Sequence, residues 1–207
     1  MNGLIAHRDT NRNRMIFDIT HDDLADVFGA GNIRCVPYEA AGASGITGET
    51  LRFLTEVGLP DNDFVSFAGL DDSRNSLRKV SVEELGDTWD LPSAASDWLF
   101  AGNFEISAIV LDAASGELHQ MAEGVMRPVP LHGDVSSLVH TVTRLTQVVR
   151  GLPEGYEDDD EALEELEGVL DGLKREITAR DPRPFGDEHS EWLEIVMSIG
   201  AGLWGPG

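Results

Sequence analysis

The chain has 207 residues, of which 38 are Asp or Glu and 15 are Lys or Arg, so its formal net charge is -23. A surface this acidic repels nucleic acid and anionic membranes, and it attracts basic partners. A hydrophobic fraction of 41% with four Trp residues indicates a folded body rather than a disordered chain.

The cysteine content and the hydropathy of the sequence indicate where in the cell the protein is located. Cys35 is the only cysteine, so no intrachain disulfide can form and nothing in the sequence implies an oxidising environment. The first 14 residues lack the apolar centre of a signal peptide, and no stretch approaches the roughly 20 apolar residues of a membrane span. We therefore expect a cytoplasmic protein without a membrane partner.

The first predicted element is a helix that begins after Thr20, a good N-cap, and ends at the glycines of 29–31. A short β-prone run over 33–38 follows, and then a loop rich in Gly and Ala. A second helix starts near Thr50 and stops at Gly58.

The middle of the chain begins with a brief strand predicted over 64–67 and a mixed stretch over 71–91 that yields only one short element. Three strands follow over 98–101, 105–112 and 118–122, with turn residues between them, at Gly102-Asn103 and at Ser115-Gly116. Short strands separated by short turns predict an antiparallel meander. The second of the three is almost wholly apolar, which predicts that both of its faces are covered and that helices pack on the sheet.

The last part of the chain is predicted to be helical. Asp134 is an N-cap for a long amphipathic helix closed by Pro153, and a dense acidic run within 154–176 leads into a helix with one apolar stripe. Asp181-Pro182 breaks this pattern before a final helix over 188–199.

These elements predict an α+β protein: a single domain with a mainly antiparallel central sheet flanked by helices, plus C-terminal helices. We expect residues 1–18 to form a tail that need not be ordered. Residues 19–203 form the domain, with a core over 19–150 and an acidic helical part over 154–203.

The candidate catalytic and ligand-binding motifs in this sequence lack the residues or the spacing that their chemistry needs. The loop at 42–50 lacks the Lys of a phosphate-binding loop, and the glycines of 29–31 precede a strand instead of following one. His119, His132 and His140 have no metal-ligand spacing and are expected at ordinary surface or strand-end positions. We predict no catalytic, cofactor-binding or metal-binding residues. A Ser, His and Asp set assembled in space stays open, since such residues converge without a sequence motif, and so does a hydrolase that uses carboxylates.

Several segments, in their order, resemble the SUKH superfamily, and most closely its SUKH-4 branch of bacterial immunity proteins. The most specific segment of the resemblance is 50–60, which contains the second helix and the glycine at its end. The resemblance spans roughly 19–203. Its other segments are 22–31, the strands of 98–121 with the turn at 112–116, the helix from Asp134, and the closing Asp181-Pro182 with Trp192 and Gly202.

The resemblance implies an α+β fold and a role in neutralising a cognate toxin, commonly a nuclease or a nucleic-acid deaminase, by direct binding without enzymatic activity. The acidity adds that the toxin domain is basic and that the protein does not bind nucleic acid itself. A regulatory or scaffold protein of the same fold, bound to an endogenous protein, is the alternative. Six acidic residues in the loop-rich 71–97 stretch are the predicted contacts: Asp71, Asp72, Glu83, Glu84, Asp87 and Asp90.

Overall fold

The computed structural model describes residues 14–67, 77–85 and 88–204, and it confirms the α+β fold. The helices are α1 (His21–Phe28), α2 (Tyr38–Ala43), α3 (Gly48–Arg52), α4 (Val82–Leu85), α5 (Val135–Arg150), α6 (Asp160–Thr178) and α7 (Glu191–Gly200). The strands are β1 (Ile33–Arg34), β2 (Leu59–Pro60), β3 (Ser66–Phe67), β4 (Trp98–Asn103), β5 (Ala108–Asp112), β6 (Leu118–Met121) and β7 (Pro128–His132).

Within the described residues, the main sheet has five antiparallel strands in the order β3-β4-β5-β6-β7, so the predicted meander is confirmed. Each strand pairs with the next one in the chain. The connections from β4 to β7 are short, whereas β3 and β4 are joined by the long segment 68–97. A separate two-stranded sheet pairs β1 with β2 through Ile33↔Pro60 and Arg34↔Leu59.

Both faces of β5 are covered, as its apolar run predicts. Ile109 and Leu111 belong to the main core, which the sheet shares with α1, α5, α6 and α7. Val110 points to the opposite face and packs with Trp98 and Met121 in a second, smaller cluster. Val80, Leu85, Trp89 and Leu91 pack against that second cluster, and we call this side of the sheet the outer face.

Several helices begin where a side chain hydrogen-bonds to the free backbone N–H groups of the first turn. Thr20 and Asp23 form a reciprocal capping box at the start of α1. Asp134 caps α5 by accepting from the backbone N–H of Ser137 at 3.0 Å, and it also accepts from the backbone N–H of Ile16. Helix α3 continues as a wider helical turn over Phe53–Val57 and ends at Gly58, where φ is 89°.

Three local expectations are wrong. Residues 38–43 form α2 rather than a loop, and β7 was not foreseen. Gly102-Asn103 lies within β4 instead of forming the turn, which falls at residues 104–107. Within the described ranges, none of the helices is long and apolar enough to span a membrane.

Candidate interaction surface

The predicted contact set lies on the outer face, as far as the structure describes it. Glu83 in α4 and Asp90 are exposed there. Asp90 is held by its backbone N–H, which donates to the carbonyl of Met126 at 2.9 Å. Asp71, Asp72 and Asp87 lie outside the described residues, and of Glu84 only the backbone position in α4 is described.

Positive charge stands beside this segment. A shallow cavity of about 340 Å³ on the outer face is lined by Arg78 and Lys79 as well as by Phe100, Val110 and Met121. The Arg78 guanidinium lies 5.0 Å from the centre of the Phe100 ring, and Lys79 Nζ lies 2.9 Å from Asp97 Oδ1. The outer face is therefore of mixed charge, and the acidic residues predicted to form contacts have basic neighbours there.

The densest exposed acidity of the described chain lies on α6 and the segment just before it. Asp159 caps the helix by accepting from the backbone N–H groups of Glu161 and Ala162. The apolar stripe predicted for α6 is confirmed, because Leu166, Leu170, Leu173 and Ile177 are buried. The exposed carboxylates of the helix are Asp160, Glu161, Glu164, Glu165, Glu167, Asp171 and Glu176.

Few of these carboxylates have a cation beside them. Asp171 pairs with Lys174 at 3.4 Å, and Glu176 pairs with Arg144 at 3.3 Å and with His140 at 3.2 Å. Across the described ranges the other five form no ion pair. Solvent-exposed charge of one sign without internal partners is free to interact with a cationic molecule.

A buried polar cluster joins β7, α5, α7 and the chain after α6. His132, Ser137, Asp181 and Trp192 are each fully buried. Asp181 Oδ2 accepts from the hydroxyl of Ser137 and from the backbone N–H of Gly133, each at 2.7 Å. His132 is the last residue of β7, in agreement with the predicted strand-end position. The alternative prediction of an ordinary surface position is wrong, because the side chain is fully buried.

The protonation state of His132 follows from its partners. The indole of Trp192 can only donate, so His132 Nε2 is the acceptor of that 2.8 Å bond and the ring proton sits on Nδ1, 2.9 Å from Ser137 Oγ. Burial, opposed by Asp181 and assisted by Arg183, lowers the pKa of His132 to about 3. Burial acts to raise the pKa of Asp181, but the hydrogen bonds from Gly133 and Ser137 and the proximity of His132 bring it below its usual value.

This geometry differs from that of a Ser-His-Asp nucleophile. In a catalytic triad the imidazole stands between acid and serine and accepts the serine proton. Here Ser137 stands between His132 and Asp181, gives its proton to the carboxylate, and receives one from the imidazole. All three side chains are closed off from solvent, so the cluster acts as a structural joint.

His119 and His140, the other two histidines singled out from the sequence, each stack on an aromatic ring. His119 stacks on Trp98 with ring centres 4.6 Å apart, and His140 stacks on Phe17 at 3.9 Å. In the portions of the chain that the structure describes, no group of three or more His, Cys, Asp or Glu side chains is arranged to hold a metal ion.

The fold and its surface define an acidic α+β domain that offers charged faces for binding. The chain belongs to the SUKH-4 immunity protein family, because the model of that family matches residues 19–198, most of the chain. No curated protein and no solved structure matches the chain. Membership in this family supports a bacterial immunity protein and implies a cognate toxin as its partner.

Proposed function

We propose that this chain neutralises its cognate toxin by binding the toxin domain directly and covering the surface that the toxin needs. The match of residues 19–198 to the SUKH-4 immunity protein family carries this proposal. An immunity protein of this kind needs no catalytic residues and no cofactor, because occupancy of the toxin surface is sufficient.

The net charge supports a toxin of basic character. A nuclease or nucleic-acid deaminase must bind a polyanion, so its substrate groove is lined by Lys and Arg. A protein with a formal charge of -23 is drawn to that groove. Electrostatic attraction of this kind accelerates association by up to about 10³-fold at low salt, and screening removes it at high salt. The bound protein would then stand where the nucleic acid has to lie. A toxin with such a substrate acts in the cytoplasm, and the immunity protein would act there too.

The contact residues that we propose from the sequence are Asp71, Asp72, Glu83, Glu84, Asp87 and Asp90. Of these, Glu83 and Asp90 have described side chains, and both lie on the outer face. The exposure of Glu83 and Asp90 is compatible with this role. Their segment is fixed to the sheet by a backbone bridge between Lys79 and Leu99, so a partner docked there would meet a supported surface.

Co-expression with the toxin domain encoded next to this chain tests the proposal. Cells that produce the toxin should grow only when the chain is also present, and a catalytically inactive toxin should bind the purified chain at low salt and release it at high salt. Absence of both protection and binding would refute the proposal. A gene isolated among housekeeping genes would instead favour the regulatory scaffold.

A further inference from the structure

A surface groove runs between α6 and α7, with a volume of about 560 Å³. Its apolar lining comes from both helices: Leu170 and Val196 are buried, and Leu163 and Leu193 are half-buried. Met197 also lines the groove and is 69% exposed. A flexible thioether exposed to this extent adapts readily to the shape of a partner.

Four carboxylates and one cation, Lys174, line the α6 side of the groove. Asp160, Glu164, Glu167 and Asp171 are three or four residues apart, so they share one face of the helix. At a rise of about 1.5 Å per residue the stripe extends roughly 16 Å, the length of about three helical turns. All four side chains are exposed.

Asp160 lies in the first turn of α6, where the helix dipole favours a carboxylate, but repulsion along the rest of the stripe destabilises the helix. Asp171 has Lys174 as a partner at 3.4 Å, whereas the other three form no ion pair within the described part of the chain. Like charges at these spacings repel each other and destabilise a helix. A cationic partner laid along the stripe would remove that repulsion, which favours binding as the role of these charges.

Building on the proposed function, we propose that this groove receives a basic amphipathic helix of the cognate toxin. Apolar side chains on one face of that helix enter between α6 and α7, and Lys or Arg side chains beside them pair with the carboxylate stripe. A short helix laid into an apolar groove is a recurrent mode of recognition, and the apolar lining and three-turn stripe fit it. Charge complementarity identifies the occupant as basic.

A second copy of this chain does not fit the groove. It would bring its own carboxylate stripe, and a formal charge of -23, against the first. With like charges on both sides, close approach is repulsive over the Debye length of about 8 to 10 Å at physiological salt. The protein alone should therefore sediment as a monomer at that salt concentration. A dimer that the Met197→Ser substitution dissociates would overturn the assignment.

Two variants with the same change in net charge distinguish binding in the groove from the general electrostatic attraction of the acidic protein. Glu164→Lys/Glu167→Lys reverses two groove carboxylates, and Glu161→Lys/Glu165→Lys reverses two exposed carboxylates of the same helix that do not line the groove. A second pair of variants tests the apolar side chains in the same way, with one substitution inside the groove and one outside it. Met197→Ser removes a groove side chain, and Val169→Ser removes one that is 53% exposed on α6 outside the groove.

Each variant is titrated with two binders: the inactive toxin domain, and a synthetic peptide of about three helical turns with Leu on one face and Lys on its flanks. Both groove variants should weaken both binders about tenfold or more, and both controls about twofold or less. Thermal unfolding of every variant confirms that the fold is retained.

The outcomes separate this proposal from the proposed function. Protection and toxin binding that survive the groove variants would overturn the groove while the immunity function stands. Equal losses in groove and control variants would replace the groove with a general charge effect. Failure of the wild-type chain to bind or neutralise the toxin would refute the immunity function, and with it the toxin helix as occupant, even if the peptide distinguished the variants.

Discussion

The indole Nε1–H of Trp192 donates a 2.8 Å hydrogen bond to Nε2 of His132, between two side chains that are fully buried. This bond ties α7 to the end of β7, and Ser137 and Asp181 extend it to α5 and to the chain after α6. This buried joint is one of several polar contacts that fix the acidic helical part to the sheet; others join Glu191 to Ser107 and Arg183 to Glu117. The joint requires a neutral imidazole, which makes it sensitive to acid.

Stability should fall as the pH is lowered below about 6.5. Burial holds the pKa of His132 at about 3 in the folded protein, against 6.5 as its ordinary value, so between these pH values the unfolded chain binds one more proton. His132 alone then lowers the free energy of unfolding by about 1.4 kcal/mol per pH unit as pH falls through this window. Burial raises the pKa of Glu191, so that this group acts in the opposite direction. Urea unfolding at neutral pH and near pH 5 measures the loss.

The His132→Gln variant isolates the contribution of this residue. Burial also lowers the pKa of His119 and of His140, and these groups add a loss of the same sign in both proteins. The variant should therefore show a smaller dependence on pH than the wild type. An equal dependence in the two proteins would show that His132 is not held neutral by the fold.

Ser137→Ala should destabilise the protein without removing its function. The change deletes the hydroxyl that bonds both His132 and Asp181, and it leaves two buried polar groups short of a partner, which costs about 2–3 kcal/mol. Chemical unfolding measures this loss, with Ser93→Ala, at an exposed serine, as the control. Toxin neutralisation should persist at a temperature where the variant is folded. Its loss in a folded variant would indicate that Ser137 acts chemically.

Gly58→Ala should destabilise more than Gly45→Ala, although both glycines have a positive φ, 89° and 86°. A Cβ at position 58 would lie 2.9 Å from Ile33 Cγ2 and 3.0 Å from the carbonyl oxygen of Arg34, whereas one at position 45 meets nothing within 4 Å. We expect losses of about 3 and about 1 kcal/mol in thermal or urea unfolding. Equal losses would mean that contact with β1 is unimportant.

Charge reversal of Glu83 and Asp90 on the outer face should slow association more than it speeds dissociation. Glu83→Lys/Asp90→Lys changes exposed charges that are seated in no apolar groove, and such charges act mainly by steering. In stopped-flow measurements with the inactive toxin domain, the variant should associate more slowly than the wild type, and its association rate should depend less on salt concentration. A large rise in the off-rate would instead place the outer face at the centre of the interface.

The sequence predicted the elements whose signals are local. α5 has both a capping Asp134 and a long apolar stripe, and β5 has a run of apolar residues that only a doubly covered strand needs. α2 was missed because Ala41 is its only buried residue, which leaves no stripe to detect. β7 was missed because Pro128 and Pro130 discourage a strand prediction, although an edge position tolerates them.

The groove and the buried joint could not be predicted in the same way. The groove needs α6 and α7, which are separate in the chain, to lie side by side, and the exposure of Met197 is decided only by that packing. His132 and Trp192 are 60 residues apart in sequence, and no spacing links them. The acidity of α6 was visible, but its division between a groove face and an open face was not.

The affinity of the wild-type chain for the inactive toxin domain encoded beside it, measured by calorimetry at two salt concentrations, tests the central claim most directly. Direct neutralisation by an acidic protein predicts a 1:1 complex in low salt whose dissociation constant rises by about tenfold or more as screening shortens the Debye length from about 10 Å to about 3 Å. No heat of binding in low salt, from a chain whose folding is verified in the same buffer, would contradict it.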